Sequence, residues 1–130
     1  MLFKKPTMEA LHLPKASPEE KAVRDAAIEE GYKKASLVPL ESAAICLEAI
    51  KLSRAVAAKG NASSISDAGV GALMARAGVE GAVLNVLINL AEVKDASFVM
   101  ELKAKAAAIA SEAEGEKEAA LASVHRSIGA

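Results

Sequence analysis

Apolar positions recur along this chain at a spacing close to that of the α-helix and never in the strict alternation of a strand. Leu40, Ala43, Leu47 and Ile50 share one helical face, while Glu41, Glu48 and Lys51 fall largely elsewhere. The segment holding them begins at Ser17-Pro18-Glu19-Glu20, where Ser17 can cap, Pro18 has no amide hydrogen to leave unpaired, and Glu20 completes a capping box. It runs to Lys59, with Gly60-Asn61 as a left-handed stop. Pro39 lies in its interior, and the missing hydrogen bond and ring clash predict two helices or one bent helix. A second capping box, Ser64-Ile65-Ser66-Asp67, opens a helix to about Leu90 whose only charges after Asp67 are Arg76 and Glu80, so it is expected to be nearly surrounded by protein. Asp95 is the expected cap of a last helix with the stripe Phe98, Leu102, Ala106, Ile109, Ala113, Ala120 and Val124, interrupted if anywhere at Gly115. Glu101 and Lys105 pair outside that stripe.

Composition sharpens this into an all-α protein. The chain has 130 residues, 52% apolar and 25% charged, with 2% aromatic and no tryptophan. That suits one antiparallel helical bundle over residues 1–130, with the Ile65 to Leu90 helix central and buried. A single cysteine, Cys46, allows no internal disulfide and reads as packing. Sixteen basic and seventeen acidic residues are intermixed, leaving no field to attract nucleic acid and almost no ring surface on which bases could stack. The N-terminus lacks the apolar stretch of a signal peptide, and the longest uncharged run, Gly81 to Ala91, is too short to span a bilayer. The expectation is therefore a cytoplasmic protein without a membrane partner. His12 and His125 are isolated, so no metal site is predicted, and no phosphate loop, dinucleotide fingerprint or nucleophile elbow occurs.

Candidate chemistry gathers on the third helix. Gly71, Ala75, Gly78, Ala82, Asn85 and Asn89 follow at alternating four- and three-residue steps and form one seam of small and amide side chains. Glycines at 69, 71, 78 and 81 each cost about 0.5–1 kcal/mol relative to alanine inside a helix, a penalty that close packing or a ligand must offset. Two readings stay open. Either another helix packs tightly there, from this chain or from a second copy across a two-fold axis, with the two asparagines hydrogen-bonding across the seam, or Asp67, Asn85 and Asn89 line a groove for a planar heterocycle. Arg76 and Glu80, four apart, form an ion pair or hold a charged ligand. Asp67 has helix capping as its simplest role.

The run Gly60-Asn61-Ala62-Ser63-Ser64-Ile65-Ser66-Asp67-Ala68-Gly69-Val70-Gly71, continuing through Ala77-Gly78-Val79-Glu80-Gly81-Ala82-Val83-Leu84-Asn85-Val86-Leu87-Ile88-Asn89-Leu90, resembles the cyclodeaminase/cyclohydrolase family. Met8-Glu9-Ala10-Leu11-His12-Leu13-Pro14-Lys15 and Val38-Pro39-Leu40-Glu41 extend the likeness from about Met8 to the C-terminus, whereas residues 1–7 fit poorly, Pro6 interrupting what the family continues as helix. The family's N-terminal helices, with a Gly-Gly-Gly-Ser segment, have no counterpart, so the chain is similar to the C-terminal part of the domain. The resemblance implies a dimeric all-α enzyme of folate one-carbon metabolism. It would close 5-formiminotetrahydrofolate with loss of ammonia, or open 5,10-methenyltetrahydrofolate with water, without a metal or other cofactor. By that chemistry Asp67 is the candidate carboxylate, Asn85 and Asn89 are pterin readers, and Arg76 is a partner for the glutamate tail. Activity would need a second chain or segment carrying the absent helices. The alternative is a non-catalytic dimerisation module or truncated remnant of the enzyme.

Overall fold

A computed structural model describes residues 5–130, so the expectation for the extreme N-terminus lies largely outside the described residues. Four helices, α1 (Lys5–Leu11), α2 (Pro18–Lys59), α3 (Ile65–Leu90) and α4 (Ala96–Ile128), account for nearly all of it, with no strand among the described residues. Helix α1 includes Pro6, and what precedes Lys5 lies outside the described residues. The three long helices all pack on one another, and α1 lies against α2.

Local chemistry sets the boundaries. Ser17 Oγ accepts the Glu20 amide at 3.1 Å, and Glu20 reaches back to accept the Ala16 amide at 3.0 Å, one residue before the usual box partner. From there α2 runs unbroken through Pro39 to Lys59. Gly60 is extended (φ −67°, ψ 153°) and not left-handed. It is needed for close approach, because a Cβ there would stand 2.6 Å from the Val56 carbonyl oxygen. The second capping box does not form either. Ser64 makes no side-chain cap, and instead Asn61 Oδ1 gathers the Ser63 amide, Ser63 Oγ and Ser64 Oγ at 3.0, 2.6 and 3.3 Å. Asp95 does cap α4, accepting the Phe98 amide at 3.2 Å, and α4 continues through Gly115 to a left-handed Gly129.

Short connections turn α3 antiparallel to α2, in a register shown by Cys46 against Gly78 and Ser53 against Gly71. α4 then runs parallel to α2, stitched by Lys33–Asp95, Lys51–Glu112 and Arg54–Glu116 ion pairs at 2.9, 2.9 and 3.0 Å. The core between them is built of Leu47, Ile50, Ala72, Val79, Ala113 and Ala120, continued by Val86, Leu90, Val93, Leu102 and Ala106. Five members of the expected α4 stripe are buried, while Phe98 and Ile109 are half-buried. So many alanines bring the helix axes close, and side-chain volume is small throughout.

One expectation fails. α3 is not surrounded by protein: α2 and α4 cover one side, and the opposite side carries Val70 (53% exposed), Met74 (71%), Leu84 (67%) and Ile88 (68%). Ile45, Leu52 and Val56 of α2, also half or more exposed, continue this face on the side away from α4. By length and apolar content α3 would reach across a bilayer, although its longest uncharged run would not. Among the described residues no element covers this apolar face.

Two carboxylates tie the layers together and make stability depend on acid. Lys33 and the Phe98 amide hold the Asp95 carboxyl down at about 2, and Lys117 with Arg76 does the same for Glu114. Groups with depressed values contribute fully above the ordinary carboxylate range and lose that contribution as pH falls towards 2. Denaturation midpoints are therefore expected to fall between about pH 4.5 and 2, and Glu114→Gln to flatten part of that decline. A Glu114→Gln profile parallel to wild type would show that this carboxylate does not couple folding to acid.

Candidate functional site

The α2–α3 seam divides into a closed half and an open half. In the closed half a Cβ on Gly71 would meet Ser53 Oγ at 3.1 Å, and one on Gly78 would meet Cys46 Sγ at 2.8 Å. Small residues there serve contact within this chain. Past Gly78 the helices part around a cavity of about 360 Å³ lined by Ala35, Val38, Pro39, Ser42, Gly78, Gly81, Ala82, Asn85 and Asn89. That volume lies at the lower end of the range for small-molecule sites, roughly 300–1,000 Å³. Tight helix contact is thus made within this chain over one half of the seam, and a cavity without Asp67 opens over the other.

Pro39 explains how the cavity is built. Lacking an amide hydrogen, it leaves the Ala35 carbonyl without its helical donor. Asn89 of α3 supplies one: its Nδ2 donates to the Ala35 carbonyl at 3.2 Å and to the Asn85 carbonyl at 2.8 Å. The side-chain amide thus closes the gap in the other helix's ladder, and the Pro39 ring forms part of the wall. Asn85 is exposed on the same wall, four residues earlier. Ser42 turns its hydroxyl to the Val38 carbonyl at 3.3 Å, leaving that oxygen's lone pairs available. Ser42, Gly81 and Asn85 are the exposed members of this lining.

Of the four residues singled out from the sequence, the structure brings together Asn85 and Asn89 only. Asp67 is exposed near the start of α3, eighteen positions from Asn85 and about 27 Å away along the helix axis. The Gly71 and Gly78 contacts close the seam between them, so the single groove expected for all three is not formed. Arg76 points to α4: its Nε donates to Glu114 at 2.9 Å, and its Nη2 lies 3.3 Å from Glu80. The expected Arg76–Glu80 pair is present but secondary to Glu114, and the guanidinium lies outside the cavity lining. Among the described residues no cluster of His, Cys, Asp or Glu could hold a metal ion. The cavity lining contains no charged side chain.

Ala35, Val38 and Ser42 escaped the sequence reading. A signal for Ala35 existed, since a proline within a helix identifies the carbonyl four residues earlier as an orphan in need of a donor. What no pattern supplied was the α2–α3 register that delivers Asn89 to it.

The formiminotransferase-cyclodeaminase family profile matches residues 3–108, beginning before Met8 and ending short of the C-terminus. The chain is 48% identical to methenyltetrahydrofolate cyclohydrolase of Methylorubrum extorquens over 94 residues, covering 72% of this chain and 45% of the relative. It is 36% identical over 122 residues to the formimidoyltransferase-cyclodeaminase of Mus musculus, and 40% identical over 100 residues to that of Gallus gallus. Those matches cover 85% and 72% of this chain, against 23% and 17% of the relatives. The chain thus spans less than half the length of these relatives.

Proposed function

The chain belongs to the formiminotransferase-cyclodeaminase family, and we propose that it supplies one wall of a folate site for the opening of 5,10-methenyltetrahydrofolate by water. The observation that carries this is the cavity walled by Asn85, Asn89 and Ser42, otherwise lined by alanine, glycine, valine and proline and sized for a reduced pterin ring. Hydrolysis is preferred to ammonia release because the relative at 48% identity bears the cyclohydrolase name, against 36–40% for those named cyclodeaminase.

In this reading water adds to the methenyl carbon between N5 and N10 and loses one proton, and the tetrahedral carbon then collapses, its hydroxyl proton passing to N5 as the bond to N5 breaks and the formyl group stays on N10. Asn85 and Asn89 hold the pterin while this happens. Base catalysis needs a carboxylate near the carbon, and the glutamate tail needs a cation. The wall provides neither, with Asp67 about 27 Å along α3 and Arg76 committed to Glu114. Both come from a second polypeptide covering the bare face, which would also roof the cavity and exclude water from the pterin. That partner is a second copy of this chain or a chain carrying the rest of the domain.

Titrating the folded chain with tetrahydrofolate tests the wall, and following loss of the methenyl group tests the reaction. Asn85→Leu is expected to weaken tetrahydrofolate binding about ten-fold, the effect of losing one well-placed hydrogen bond in a sheltered site. Asp67→Asn is expected to leave binding unchanged. Absence of saturable binding by the folded chain would sink the folate reading. A loss with Asp67→Asn equal to that with Asn85→Leu would move the site to the other end of α3.

A further inference from the structure

Asn89 holds a fixed orientation that Pro39 imposes. An asparagine amide ordinarily offers a ligand two donors and one acceptor, and can turn over to present either end. Here both hydrogens are engaged, one on the Ala35 carbonyl and one on the Asn85 carbonyl. Turning the amide would set Oδ1 against the Ala35 oxygen and leave that carbonyl again without a donor, since Pro39 has none to give. The acceptor Oδ1 is thus the only polar atom Asn89 retains for a ligand. The Asn85 amide carries no such restriction, while the Ser42 hydroxyl gives its one hydrogen to the Val38 carbonyl.

We propose that Asn89 is a specificity-determining residue: locked by the orphan carbonyl beneath Pro39, it presents Oδ1 alone and selects a heterocycle whose edge there bears an N–H, such as the amino-pyrimidine edge of a pterin. This rests on the folate reading of the cavity and adds a polarity to it. A ring offering a lone pair or methyl group at that position meets an acceptor or an unfilled hydrogen bond and is rejected. Pro39, which touches the ligand only as wall, is the positioning residue.

The test uses the full chain with tetrahydrofolate and its 2-desamino-2-methyl analogue, titrated into wild type and Pro39→Ala. Alanine at 39 restores an amide hydrogen to the Ala35 carbonyl and favours the helix, so the variant keeps its fold while Asn89 is released. Wild type is expected to prefer the amino compound about ten-fold, and Pro39→Ala to lose most of that ratio whatever happens to overall affinity. A ratio near one in wild type, or one that Pro39→Ala leaves unchanged, overturns the proposal and leaves the folate site standing. Binding of neither compound removes the folate reading and the selection with it. Side-chain amide spectra supply a readout without ligand: the Asn89 NH2 protons are expected to exchange slowly in wild type and to lose protection in Pro39→Ala. Exchange in wild type as fast as that of an exposed asparagine also overturns it.

Discussion

Replacing Leu84 and Ile88 together with glutamate is expected to abolish association through the outer face of α3 at unchanged helix content. Both side chains are about two-thirds exposed on the outer face of α3, where Val70 and Met74 continue the patch and Ile45, Leu52 and Val56 of α2 extend it. Large apolar side chains exposed to this degree present on the order of 800 Å² to water, about one partner's share of a standard interface. A typical monomer's largest apolar patch is roughly 300–600 Å². The wild-type chain is therefore expected to sediment as a dimer at micromolar concentration, with the double substitution raising its dissociation constant at least about a hundred-fold, since two charges would be desolvated at the contact. Sedimentation equilibrium measures both. A monomeric wild type would leave the face to a different polypeptide, and a dimer untouched by the glutamates would place self-association elsewhere.

Gly78→Leu acts inside the chain, and its effect is of similar size. A Cβ at 78 would stand 2.8 Å from Cys46 Sγ, well inside contact distance, and the rest of a leucine side chain has only the seam and the cavity to enter. α2 and α3 must separate or strain, at a cost of about 1–3 kcal/mol for overpacking. With Gly78 opposite Cys46, the loss should appear in urea unfolding and be the same in the Leu84→Glu/Ile88→Glu background. Adding Cys46→Ala should recover part of it, because the blocking sulfur is then gone. Full stability in the single variant would show that the helices are not in contact at this point.

Much of the architecture was legible along the chain because its causes are local. Ser17 and Asp95 cap because a hydroxyl or carboxylate two to three residues ahead of a free amide needs no information from elsewhere. The α4 stripe is buried where the period places it. The errors also have local origins. Ser64 resembled a cap, but Asn61 offered its hydroxyl a better acceptor, and Gly60 was retained for clearance from Val56 and not for left-handed geometry. α3 looked fully buried because apolar content records that a face must be covered and not which molecule covers it.

By itself the sequence determined an all-helical chain, the boundaries of its long helices, a third helix too apolar for water on every side, and a family likeness that takes in that helix. Those properties depend on neighbours a turn or two away. The tertiary structure alone decided that Gly71 and Gly78 press on α2, that Asn89 completes the ladder Pro39 breaks, that Arg76 turns to Glu114, and that Asp67 stands far from the cavity. These pairings join residues dozens of positions apart, and they follow from the register in which α3 folds back along α2. That register is set by the summed packing of small side chains over the whole interface, a quantity no short stretch of sequence contains.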